Sequence, residues 1–305
     1  VGHYLGRRTL HSAISLVGLI VLVFVLVRLT GDPTNLFLPL DASVEAREAF
    51  AEKHGFNDSI LEQFGRFLVG IAHFDLGDSL RKARPAVEVV LEAFPTTLKL
   101  AGFTMAFALT MAIVVGALAA YRPGGPFDRI GSVLSLAGAS APDFWVAITG
   151  ILLFAVTLGW LPTSGTGSAW HWVMPLTVLL IRPFGLLVQV VRGAMISALS
   201  SAYVKTARAK GVRERSVIFV HALRNATLPV ITVAGDQAVG IINGAVIVET
   251  VFGFPGVGKL MIDAITQRDF AVVQAAILVT ALAIFVMNIL IDLTYAILDP
   301  RIRYD

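Results

Sequence analysis

An all-α integral membrane protein with six transmembrane helices is the fold class this sequence predicts, and three observations carry that reading. The chain of 305 residues is 56% hydrophobic and only 15% charged, against roughly 25% charged residues in ordinary soluble domains. Its mean hydropathy is +0.78. Its apolar residues also run on without interruption. Ala101–Ala120 holds no charge, and such a run at about 1.5 Å per residue spans roughly 30 Å, the hydrocarbon thickness of a bilayer. An outer-membrane barrel would alternate apolar and polar residues instead. Composition thus excludes a soluble enzyme, a disordered tail and, despite a pI near 9.3, a nucleic-acid binder. The absence of Cys excludes disulfides and thiolate chemistry.

Six stretches are long enough to cross: about 10–29, 97–120, 131–158, 172–192, 227–249 and 272–298. The first is expected to be a retained helix, because Arg28-Leu29-Thr30-Gly31-Asp32-Pro33 follows it and no A-x-A cleavage site does. The third is too long for one straight span. Gly138 and Ser140-Ala141-Pro142-Asp143 predict a bend or break within it. Trp145, Trp160, Trp170 and Trp172 read mainly as interfacial anchors. The domain plan is a first helix (1–30), an extracytoplasmic helical segment (31–96), a five-helix core (97–298) and a tail (299–305).

The 31–96 segment reads as folded. Asp41 or Ser43 caps a helix running to Gly55. Ile60, Leu61, Phe64, Phe67, Leu68 and Ile71 recur at helical spacing on one face of a second helix. Asp75 to Ser79 reads as a turn, and Pro85 opens a third short helix that ends before Pro95.

Basic residues set the orientation. Arg7 and Arg8, Arg122 and Arg129, Arg301 and Arg303, and the 192–226 connection with Arg192, Lys205, Arg208, Lys210, Arg213, Arg215 and Arg224 all fall on one side. The 161–171 loop holds no Lys or Arg, and the 250–271 loop holds only Lys259 and Arg268. Both termini and the 192–226 connection are therefore expected in the cytoplasm. That connection is predicted helical over about 200–215, with Tyr203, Ala207 and Gly211 spaced to share one face. Such a helix suits docking into a partner protein. The competing reading is a basic helix that only grips anionic headgroups.

Tyr203-Val204-Lys205-Thr206-Ala207-Arg208-Ala209-Lys210-Gly211, followed by His221-Ala222-Leu223-Arg224-Asn225-Ala226-Thr227-Leu228-Pro229, resembles the coupling segment of ABC importer permeases. The likeness is closest to the peptide/nickel branch. Gly31-Asp32-Pro33, Phe74-Asp75-Leu76-Gly77-Asp78-Ser79, Leu158-Gly159-Trp160-Leu161-Pro162-Thr163-Ser164-Gly165, Glu249 through Gly258, Arg268-Asp269-Phe270 and Asp299 through Tyr304 extend the likeness along the chain. The long segment after the first span resembles B-type subunits of dipeptide and oligopeptide importers. The resemblance implies a type I, MetI-like permease core in the bacterial inner membrane. It implies as partners a homologous second permease subunit, two cytoplasmic ATPase subunits, an extracytoplasmic substrate-binding protein and membrane lipids. No cofactor is expected in this chain, since ATP and Mg belong to the ATPase subunits. Tyr203, Lys205, Thr206, Ala207, Arg208, Ala209 and Gly211 are the candidate ATPase-coupling residues. Substrate class is left open among peptides, nickel complexes, glutathione and similar solutes.

Ionisable groups inside spans are costly and default to functional candidates. Arg182, Gln189, Asp236, Gln237 and Asn243 are the candidates for a translocation pathway. A structural Arg182–Asp236 pair, or an inter-subunit bond, is the alternative. Arg182, Asp236 and Asp292 would also serve an ion-coupled secondary carrier, although no internal repeat of that class is evident. Gly253-Phe254-Pro255-Gly256-Val257-Gly258-Lys259 matches the start of a phosphate-binding loop, but Leu260 replaces the required Ser or Thr. Gly253, Pro255, Gly256 and Gly258 are read instead as a tight extracytoplasmic turn. No zinc spacing, catalytic residue or nucleophile elbow stands out.

Overall fold

The computed structural model describes residues 14–26, 38, 42–54, 57–79 and 81–298, with side chains as far as 294 except at 53 and 54. The N-terminal arginines, Gly31-Asp32-Pro33, Asp41, Gly55 and the tail from Asp299 lie outside the described residues. All regular structure among the described residues is helical apart from one isolated bridge between Asp78 and Pro85.

The helices are α1 (Ile14–Leu26), α2 (Val44–His54), α3 (Ile60–Ala72), α4 (Ala86–Tyr121), α5 (Pro126–Ser140), α6 (Asp143–Gly150), α7 (Trp170–Ser200), α8 (Ala202–Ala209), α9 (Glu214–Phe252), α10 (Val257–Thr266) and α11 (Phe270–Leu298). Among the described residues α4, α7, α9 and α11 are long and apolar enough to cross a membrane. The pair formed by α5 and α6, the latter extended by a π-helical stretch over Ile151–Thr157, is long and apolar enough only when taken together, as a broken span or a re-entrant loop. The pair bends by 101°. The break falls at Ala141 and Pro142, both extended, where proline withholds an N–H and disfavours helical backbone before it. The expected first span is seen only as the shorter apolar α1.

The chain forms two compact units, one built from Thr96–Gly258 and the chain from Met287 on, the other from the chain up to Pro95 and Lys259–Val286. In the second unit the Ser43 hydroxyl accepts from the Ala46 N–H at 3.2 Å, which identifies Ser43 as the cap of α2. Ser59 and Glu62 form a reciprocal capping box at α3. The Phe24 ring packs 5.1 Å from Phe64 and 5.6 Å from Phe67. Ile60 and Leu61 are open, so only part of the predicted apolar face is used. Asp269 ties two segments together by accepting from the Ser79 hydroxyl at 2.6 Å and the Arg81 N–H at 3.4 Å.

The third short helix expected to end before Pro95 does not end there: α4 runs through Pro95 to Tyr121. Val89, Val90 and Leu100, on either side of the proline, are fully buried. Packing over those turns outweighs the single backbone hydrogen bond that Pro95 removes.

In the first unit α7 packs on both α9 and α5. Close approach needs small residues. A Cβ on Gly185 of α7 would lie 2.3 Å from the Ser135 carbonyl oxygen of α5, so only glycine fits there. Arg192, counted above among orienting charges, is held by Asp128 at the start of α5. Both its Nε and its Nη2 reach the carboxylate, the latter at 2.7 Å. Asp128 is buried and also accepts from the Gly124 N–H at 2.7 Å.

Candidate functional site

Two regions of the first unit concentrate the predicted residues. The short helix α8 follows α7 directly, with Ser201 extended between them, and a four-residue turn leads on to α9. Val204 points inward, fully buried in an apolar cluster with Val191, Met195, Val217 and Ile218. That one anchor leaves Tyr203, Lys205, Thr206, Arg208, Ala209, Lys210 and Gly211 exposed. Helix α8 stops at Ala209, shorter than the expected 200–215. The stop is built from backbone: the Gly211 N–H bonds the Arg208 carbonyl at 2.9 Å, the Val212 N–H bonds the Ala207 carbonyl at 3.2 Å, and Gly211 takes φ of 76°. This is a Schellman ending, which favours glycine because the left-handed region strains a side chain. The predicted shared face of Tyr203, Ala207 and Gly211 is therefore not formed: Ala207 packs toward the cluster and Gly211 lies past the helix. Arg208 is bonded to Glu214 at 2.7 Å, and this contact holds its guanidinium pKa above the ordinary value.

The second region is a cavity of about 530 Å³. Arg182 and Pro183 of α7, Asp143 at the start of α6, and Asp236, Gln237, Gly240, Asn243 and Gly244 of α9 line it. Four of the five predicted pathway residues thus share one space. Gln189 is elsewhere, donating to the Ser132 carbonyl at 3.2 Å. Asp292 is buried and does not line the cavity. Among the described residues no carboxylate lies within salt-bridge distance of Arg182, so the Arg182–Asp236 pair is not formed. Asp143 had no distinguishing sequence signal beyond its place after Pro142. The break between α5 and α6 brings it here.

The glycine-rich turn after α9 encloses a carboxyl group that belongs to the chain itself. Glu249 is fully buried. Its carboxylate accepts from the Thr97 hydroxyl at 2.6 Å and from the Gly258 N–H at 2.8 Å, while Thr97 Oγ1 accepts from the Val257 N–H at 2.9 Å. A Cβ on Gly256 would fall 2.2 Å from the Glu249 carboxyl carbon. The start of α10 thus holds a carboxylate where a phosphate loop would hold phosphate. Lys259 is bonded to Asp263 at 2.5 Å. Sequence reading missed Glu249 as a residue in its own right; the signal was an acid ending an apolar run just before three glycines.

The family model "Binding-protein-dependent transport system inner membrane component" matches residues 112–304. The oligopeptide transport system permease protein AppB of Bacillus subtilis is 37% identical, with 99% of each chain covered. The glutathione transport system permease protein GsiC of Pectobacterium atrosepticum is 36% identical, again over 99% of each. The di/tripeptide transport system permease protein DppB of Pseudomonas aeruginosa is 37% identical over 94% of each. Among solved structures, inward-facing MetNI methionine ABC transporter shares the fold at a TM-score of 0.56 and 15% identity, over 69% of this chain and 96% of that one. An amino acid ABC transporter aligns at 0.52 and 16% identity, over 70% and 94%. The chain belongs to the family of binding-protein-dependent transport system inner membrane components, the permease subunits of ABC importers.

Proposed function

We propose that the chain forms, with a homologous subunit, the pathway by which an ATP-driven importer takes up di- or oligopeptides or a similar small solute delivered by an extracytoplasmic binding protein. Relatives named for oligopeptide, di/tripeptide and glutathione transport support that substrate range. Two cytoplasmic ATPase subunits drive it through α8. Both termini and α8 face the cytoplasm, in keeping with Lys205, Arg208, Lys210, Arg213 and Arg215 around that helix.

One observation carries the mechanism. The two helices joined through α8 are the two that carry the cavity's central charges, Arg182 on α7 and Asp236 on α9. At about 1.5 Å per residue, Arg182 lies roughly 27 Å along α7 from its end at Ser200. A tilt imposed on α8 therefore moves both walls of the cavity, which is rigid-body alternating access. The Val204 anchor and the Arg208–Glu214 bond make α8 move with the bundle rather than slide on it.

The test is Ala209→Trp, which adds bulk to an exposed position. Uptake by the assembled importer should fall sharply, with the chain still folded and inserted. Lys205→Cys should react with an impermeant maleimide only after the cells are opened. Normal uptake in the first variant, or labelling of the second from outside intact cells, overturns the reading.

A further inference from the structure

Buried charged groups ordinarily neutralise one another, and this unit shows how beside the 122–125 turn: Arg192 and Asp128 make a two-pronged pair with Asp128 only 3% exposed. The cavity does the opposite. Arg182, Asp236 and Asp143 line one space and none forms a salt bridge among the described residues. Asp236 receives only a long hydrogen bond from the neighbouring Gln237, at 3.4 Å. Each intramembrane charge costs about 2.5–3.5 kcal/mol on insertion scales. A structural role would recover that cost by pairing, as Arg192 does. An open cavity with charges of both signs unpaired within this chain gives a solute a place to supply the pairing.

We propose that this cavity is a zwitterion subsite within the permease, in which Arg182 takes the anionic end of the solute and Asp236 with Asp143 the cationic end. The proposal rests on the reading of the cavity as part of the pathway and adds what the pathway selects. A simple anion meets two carboxylates against one guanidinium. An uncharged sugar leaves all three charges unpaired and partly dehydrated. A solute with one free carboxylate and one free ammonium satisfies both walls, and Gln237 and Asn243 offer amide groups to whatever lies between. The volume of about 530 Å³ lies in the range of small-molecule sites. The permease would then check the charge at both ends of a solute, independently of the binding protein.

Because the chain has no Cys, Ile247→Cys at the apolar rim of the cavity gives a single labelling site. In the assembled importer, maleimide labelling of this chain is followed with alanyl-alanine, its C-terminal amide and its doubly capped form as protectants. Alanyl-alanine should slow labelling, and each cap should weaken protection about tenfold, the value of one charged hydrogen bond. Arg182→Gln should remove the preference for a free carboxylate alone, and Asp236→Asn the preference for a free amine alone. Equal protection by the doubly capped peptide, or none by alanyl-alanine, overturns the subsite and leaves the pathway standing. Failure of Ile247→Cys to react with an aqueous reagent overturns the pathway reading itself.

Discussion

Thr97→Val replaces a hydroxyl by a methyl of nearly the same shape, so its effect isolates the hydrogen bonds around Glu249. Thr97 donates to the Glu249 carboxylate at 2.6 Å and accepts from the Val257 N–H at 2.9 Å. Both Thr97 and Glu249 are buried, at 3% and 0% exposure, so water does not replace either bond. A hydrogen bond to a charged group contributes about 1.5–3 kcal/mol, and a buried N–H left without a partner costs about 1–3 kcal/mol. The variant should therefore lose roughly 3–5 kcal/mol, while Thr97→Ser keeps both bonds and should lose far less. Equilibrium unfolding of the purified chain in mixed micelles reads the difference. A cycle with Glu249→Gln adds a second readout: the two substitutions should couple by more than about 1 kcal/mol because they share one network. A Thr97→Val chain within about 0.5 kcal/mol of the parent, or strictly additive substitutions, would refute the claim that Glu249 is held by this shell.

Arg192→Met should destabilise by about 3–5 kcal/mol, since it strands the buried Asp128 carboxylate. Adding Asp128→Leu should recover most of that loss in the same unfolding assay. Gly211→Ala meets open space, so its effect is the left-handed backbone at φ 76° alone, about 1–2 kcal/mol; uptake measured at matched protein levels should fall with it. Gly240 lines the cavity, and a Cβ there meets nothing within 4 Å. Gly240→Leu should therefore block uptake while leaving stability unchanged or raised by up to about 1 kcal/mol through helix propensity.

Periodicity and proline chemistry made the long elements legible. Long apolar runs gave α4, α7, α9 and α11, and Pro142 with its small neighbours gave the break between α5 and α6. What stayed hidden depends on contacts between segments far apart in sequence. Pro95 reads locally as a stop, yet burial on both sides of it carries the helix through. Tyr203, Ala207 and Gly211 have helical spacing, but the backbone bonds at Arg208 and Ala207 end α8 before the third of them. Arg192 counts as one more basic residue until Asp128, 64 positions earlier, is seen to hold it. Within the site, Arg182, Asp236, Gln237 and Asn243 could be named from the cost of polar groups in apolar spans. Asp143 could not, because its place depends on a bend whose direction the sequence does not encode locally.

The cost of burying a charge does not by itself separate function from structure, because the structural carboxylate of Asp128 is buried as well. The partner separates them. Asp128 is answered by a guanidinium and the Gly124 N–H, and Glu249 by a hydroxyl and the Gly258 N–H. Both arrangements are closed: each charge meets its complement inside the unit and moves with it. Arg182, Asp143 and Asp236 come from three different helices and share a cavity without bonding one another. Charges that do not bond one another leave those three helices free to shift, whereas a salt bridge across the cavity would oppose its opening. Mobility and solute recognition therefore require the same thing of these residues, that they remain unpaired with each other. The closed pairs elsewhere in the unit supply the rigidity through which motion at α8 reaches the cavity.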